Sequence, residues 1–128
     1  MRKAIILAAM LCGTLTATYA QQAEIAFDTL SYDFGTFPDS EPVQECTFTF
    51  RNTGDAPLII NQAVASCGCT VPTYTKTPIA PGATGTIDVT YNGKNRFPGH
   101  FKKTITVRSN GVTEIVRLYI EGDMEEAK

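Results

Sequence analysis

The sequence predicts an all-β fold, an antiparallel sandwich of about seven short strands with Greek-key connections. Apolar residues recur at every second position through most of the chain, the period of a strand with one face buried. Turn signals rich in Gly, Pro, Asn and Asp separate these runs at short intervals, and no segment carries the 3.6-residue period of an amphipathic helix. Beyond a leader at residues 1–20, the remaining 108 residues make one domain, here residues 21–128. Closure into a barrel fits less well, because the connections vary in length.

The elements follow in order. Glu24–Asp28 and Ser31–Phe37 come first. In Gln44–Asn52, Cys46, Phe48 and Phe50 alternate with Thr47, Thr49 and Arg51, the mark of a half-buried strand. Pro57–Val64 opens on the continuously apolar Pro57-Leu58-Ile59-Ile60, as a central strand does. In Gly85–Asn92, Ile87, Val89 and Tyr91 alternate with Asp88 and Thr90; in Gly99–Ser109, Phe101, Ile105 and Val107 alternate with Lys102, Thr104 and Thr106. Thr113–Gly122 puts Val116, Leu118 and Ile120 on one face and Ile115, Arg117 and Tyr119 on the other. Asn52-Thr53-Gly54-Asp55, Pro81-Gly82, Asn92-Gly93 and Pro98-Gly99 punctuate the runs, and Asn110-Gly111 is the strongest hairpin dipeptide. Ala65–Thr84 is the longest irregular piece. Its Pro72, Pro78 and Pro81 hold it away from a central strand position, so it is expected to wrap a sandwich edge. The charged tail Asp123–Lys128 is expected to fray.

Residues 1–20 have the layout of a secretory signal peptide. Met1-Arg2-Lys3 is basic, Ala4–Leu15 is mostly apolar and too short to span a bilayer, and Ala17–Ala20 supplies small residues for cleavage. Export to the periplasm, the cell surface or the medium follows. Leu11 precedes Cys12, where a lipid-anchored protein needs a small residue, so Cys12 leaves with the leader. Of the 11 basic residues nine then remain against 13 acidic ones, a formal charge of −4. Lys94, Arg96, Lys102 and Lys103 form a local cluster rather than a basic stripe, which argues against nucleic acid.

Chemistry concentrates at Ser66-Cys67-Gly68-Cys69-Thr70, with Cys46 as the third cysteine of an exported chain. On an extended strand Cys67 and Cys69 share a face with Cα atoms about 6.6–7 Å apart. A disulfide prefers about 5.5–6 Å, so joining them needs a bend, which Gly68 permits. Such a tight link is labile and suits redox work. A bond from Cys46 to Cys67 or Cys69 would close a loop of about 20 residues and stabilise by about 3 kcal/mol. Alternatively Cys46, on one face with Phe48 and Phe50, is a buried apolar-like residue. Two thiolates on one face also suit a soft ion such as Cu(I). Zinc wants four ligands, and only His100 and Cys46 could join, at spacings unlike a zinc pattern. Structural, redox and copper-like readings all stay open.

Other motifs carry less. Asp33-Phe34-Gly35 matches a kinase triplet by letters only. His100, beside Gly99, reads as a solvated turn residue. Asp88 and Glu114 fit the solvent faces of their strands, and no serine has a base in a recognisable frame. Asp28-Thr29-Leu30 resembles a bacterial O-glycan acceptor in three residues alone.

Phe48–Gly54, Leu58-Ile59-Ile60, Ser66-Cys67-Gly68-Cys69-Thr70, Ile79-Ala80-Pro81-Gly82, Gly85-Thr86-Ile87 and Gly99–Asn110 in that order resemble a family. It is the bacterial secreted domain of unknown function with a Ser-Cys-Gly-Cys-Thr signature, itself similar to Hydin-like and PapD-like immunoglobulin sandwiches. The resemblance covers about residues 25–122 and implies an immunoglobulin-like β-sandwich in an extracytoplasmic setting, with no activity to transfer. The function expected is a non-catalytic binding or scaffold module of the cell envelope. Its partner would be a protein or envelope component recognised by its surface or by strand addition at a sheet edge. The alternative is a small thiol-redox or copper-like metal-handling protein using Cys67 and Cys69.

Overall fold

A computed structural model describes residues 21–127; the expected leader at 1–20, Cys12 included, lies outside the described residues. Two four-stranded sheets face each other, and no helix is present among the described residues. The strands are β1 (Ile25–Phe27), β2 (Ser31–Pro38), β3 (Val43–Asn52), β4 (Ile60–Ala65), β5 (Thr70–Tyr74), β6 (Thr84–Asn92), β7 (Gly99–Ser109) and β8 (Ile115–Glu125). One sheet runs β1-β3-β6-β5, the other β2-β8-β7-β4. The predicted sandwich is therefore present, with eight strands rather than seven and one parallel pair, β2 with β8.

The core is the inward row of the period-two strands. Phe48, Phe50, Ile87, Val89 and Tyr91 from one sheet meet Ile105, Val107, Leu118 and Ile120 from the other. Each such side chain contributes about 1.5–3 kcal/mol on leaving water. At one end Tyr91 stacks on Phe101, ring centroids 3.9 Å apart, and Phe37 meets Phe101 edge-on at 5.9 Å.

Four expectations need correction. Pro57–Val64 is not a central strand: β4 begins at Ile60 and forms a sheet edge, while Leu58 makes a lone bridge to Ile79. Leu58 and Ile60 are buried but Ile59 is 41% exposed, so the apolar run alternates after all. Ala65–Thr84 is not wholly irregular, because β5 lies within it as the outer neighbour of β6. Cys69 O and Thr75 N–H bond to β6, so odd-numbered residues face that strand and the nitrogen of Pro72 faces outward, where an edge tolerates it. Asn110-Gly111 does not make a two-residue turn. The loop runs to Glu114, whose carbonyl accepts from Ser109 N–H, because the Asn110 side chain docks onto Pro57 O and Ile59 N–H. The tail is ordered further than expected: β8 continues to Glu125 opposite Pro38, and Met124 is buried.

The β1 end is tied to the β7–β8 loop by one carboxylate. Glu24 accepts from Ile25 N–H at 2.9 Å, Thr113 N–H at 3.0 Å and Thr113 Oγ1–H at 2.8 Å. Burial pushes its pKa up, but the bonds from Thr113 and Ile25 outweigh it and hold it below the ordinary 4.5. A lowered folded pKa contributes stability above the unfolded value and loses it as pH falls through the folded one. Glu24→Ala is therefore expected to cost about 1–2 kcal/mol at neutral pH, and less in acid. Denaturant unfolding of both proteins across pH 2–7 checks this; a pH-independent difference contradicts it.

Candidate functional site

Two features meet the long edges of the sandwich, one on each side. β4 and β5 close one edge, joined by Ser66–Cys69; β1 and β2 lie at the other, joined by Asp28-Thr29-Leu30.

At the first edge the chain crosses between sheets through the Cys-Gly-Cys turn. Ser66 N–H donates to Thr104 O at 2.8 Å and Thr104 N–H to Ser66 Oγ at 3.1 Å, fixing the turn to β7. Asn92 N–H donates to Cys69 O at 2.7 Å, fixing it to β6. Thr70 N–H closes back on Cys67 O at 3.2 Å. The bend brings the Cα atoms of Cys67 and Cys69 to 5.3 Å, and their sulfurs are joined. Cys67 is half-buried, while Cys69 is 7% exposed.

Cys46 stands apart. It sits opposite Val89 on β3, and Thr70 sits opposite Tyr91 on β5, with all of β6 between. Strand spacing and rise put Cys46 and Cys69 about 14 Å apart, twice the reach of a disulfide. Its thiol is free and buried. Burial and then the Asp88 carboxylate push its pKa up to about 11, so it stays protonated and unreactive at neutral pH. Among the described residues no three metal-ligating side chains gather.

The remaining sequence candidates disperse. His100 is in β7 rather than a turn, its Nδ1 3.0 Å from Asp123 and its Nε2 3.4 Å from Glu121. Asp33 accepts from Gly35 N–H at 2.7 Å, where a bulge in β2 puts Gly35 at φ 72°, so that triplet shapes a strand. Asp88 accepts from Thr47 Oγ1 at 2.9 Å on the outer sheet face. Lys102 lies over the Tyr119 ring, 5.1 Å from its centroid.

At the second edge the structure shows a feature that motif reading passed over. β2 first meets β8 at Ser31 opposite Tyr119, with Tyr119 N–H donating to Leu30 O. Before that point, among the described residues, Ile115–Leu118 pair only with β7. Backbone direction alternates along a strand, so Arg117 N–H and C=O point the same way as those of Tyr119, toward the empty position. A groove of about 520 Å³ borders this edge, lined mainly by Ile25, Phe27, Leu30, Ile115, Val116 and Tyr119. Leu30 is 52% exposed and Ile115 38%. The sequence carries no signal for this open edge, because the outer row Ile115, Arg117 and Tyr119 is mixed, as on any strand with one wet face.

Solved structures give the fold a setting. A protein of unknown function from Porphyromonas gingivalis W83 matches 83% of this chain at 15% identity and TM-score 0.70. This chain spans about half of that one, 49%. The ASH/PapD-like domain 7 of human CEP192 matches over 95% of this chain and all of its own length, at 11% identity and TM-score 0.65. The periplasmic chaperone SfaE matches over 81% of this chain and 58% of its own, at 10% identity and TM-score 0.56. At such identities the likeness is one of fold: a PapD-like, immunoglobulin-like sandwich. No curated protein matches the chain in sequence. A family model does match, over residues 25–124, and the chain belongs to that family, the proteins of unknown function DUF1573.

Proposed function

We propose that the chain is a non-catalytic, extracytoplasmic binding or scaffold module of the bacterial cell envelope. Its site is the free edge of β8 at Ile115–Leu118, and its partner is an extended segment of another protein. The carrying observation is the late arrival of β2, which leaves that edge open beside the apolar groove. A segment laid there continues the line of β2 and gains main-chain bonds from Arg117, while every second side chain enters the groove over Val116 and Phe27. The basic-then-apolar leader supports export, and the fold likeness to a periplasmic chaperone is consistent with protein binding.

Export is checked by fractionating the host: the expected product is extracytoplasmic and begins at Gln21, and an intact cytoplasmic chain would refute it. Docking is checked with peptides selected on the protein from a random display library. Selected sequences should carry apolar residues at alternate positions and lose at least tenfold in affinity to Arg117→Pro. That change removes the outward N–H at an edge position and leaves the ladder to β7 intact. Peptides indifferent to Arg117→Pro would contradict the site.

A further inference from the structure

The disulfide turn lies on the edge away from β8, and the docking reading makes no use of it. We infer that Cys67–Cys69 is a thiol–disulfide exchange site that accepts two electrons from an external thiol donor. Cys67 is the sulfur attacked, and Cys69 is the leaving group. The two sulfurs differ in access. A thiolate attacks along the line of the S–S bond, from the far side of the sulfur it strikes. Cys67 is half-buried on a turn whose tip, Gly68, is open: a Cβ there would meet nothing within 4 Å. The far side of Cys69, 7% exposed, is the core.

Each sulfur has a donor in place, Cys69 N–H to Cys67 Sγ at 3.1 Å and the Thr70 hydroxyl to Cys69 Sγ, so access rather than hydrogen bonding selects Cys67 for attack. Thr70 Oγ1 lies 3.5 Å from Cys69 Sγ, and a disulfide sulfur has no proton to give, so the hydroxyl donates. That bond strengthens as Cys69 becomes a thiolate. In the step, the donor thiolate forms a bond to Cys67 Sγ as the Cys67–Cys69 bond breaks. The electron pair goes to Cys69, which then takes a proton from water. A second donor thiolate attacks the donor sulfur of the mixed disulfide and releases Cys67 as a thiolate, leaving the donor oxidised to a disulfide. The anchors on Thr104 and Asn92 do not involve sulfur, so the turn survives reduction and the pair can close again. Cys46, about 14 Å away by strand geometry, cannot intercept the intermediate.

The test uses the full oxidised chain under native conditions, with glutathione in one arm and a reduced Cys-X-X-Cys thioredoxin-type protein in the other. Freed thiols are alkylated at intervals and each cysteine is mapped by mass. The expected intermediate carries glutathione on Cys67 and alkyl on Cys69, with Cys46 untouched until the protein unfolds. Thr70→Val is expected to slow native exchange about tenfold and to leave the rate in denaturant unchanged. Thr70→Ser, which keeps the hydroxyl, should retain the native rate. Faster reaction with the protein dithiol at equal thiolate identifies a protein donor; comparable rates identify a general thiol acceptor. Glutathione found on Cys69, reduction in neither arm before global unfolding, or a Thr70→Val rate equal to wild type would overturn the inference.

Discussion

Asn52→Ala is expected to remove about 4 kcal/mol of stability, a large share of what a domain of this size holds. The side chain is fully buried and meets four backbone groups. Its amide donates to Ala56 O at 2.7 Å and Ile79 O at 2.9 Å; its carbonyl accepts from Gly54 N–H at 2.9 Å and Glu24 N–H at 3.3 Å. One residue thus ties the approach to β1, the loop after β3 and the segment before β6. Alanine leaves two donors, Gly54 N–H and Glu24 N–H, and one acceptor, Ala56 O, without their partner, while Ile79 O keeps the bond from Leu58 N–H. Each group left unmade costs about 1–3 kcal/mol. Asn52→Asp keeps the accepting side but sets a carboxylate against two carbonyls. Its stability should be no better than alanine's at neutral pH and should rise as acid protonates it. Denaturant unfolding measures both: a fall in midpoint with unchanged slope supports the network, and a loss under 1 kcal/mol for alanine contradicts it.

The second large effect comes from Phe50 and Gly85, cross-strand partners on β3 and β6. Phe50 is fully buried, and its ring lies over the glycine so closely that a Cβ on Gly85 would stand 2.6 Å from Phe50 Cζ. Phe50→Ala should cost about 3–5 kcal/mol through the cavity it leaves. Gly85→Ala should cost about 2 kcal/mol, because the ring must shift against a packed core that includes Phe27. The two changes are coupled. Gly85→Ala combined with Phe50→Leu should be less damaging than the separate costs added, by about 1 kcal/mol. A double-mutant cycle reads this directly, and strict additivity would mean that the close approach is not what limits the site.

Much of the fold was legible because burial writes a period of two into β3, β6, β7 and β8. Legibility failed where tertiary context decides. Ile59 looked as buried as Leu58 and Ile60, yet the lone bridge from Leu58 to Ile79 turns it outward. Pro72 argued against a central strand and β5 is indeed an edge, but only its register shows that the Pro72 nitrogen faces away from β6. The parallel pairing of β2 with β8 joins residues far apart in sequence and leaves no local pattern, so neither the extension of β8 through Met124 nor its open first half was visible. The sequence did show that Cys67 and Cys69 need a bend to meet. It left the fate of Cys46 open, because the distance from Cys46 depends on β6 lying between β3 and β5.

Strand docking on the first half of β8 is read most directly in the backbone amide spectrum of the protein with and without a library-selected peptide. Docking gives Arg117 N–H a hydrogen bond: its signal is expected to shift, its solvent exchange to slow at least tenfold, and contacts to appear from peptide side chains to Val116 and Phe27. An unchanged Arg117 amide, with shifts gathered instead at β4 or β5, would contradict it.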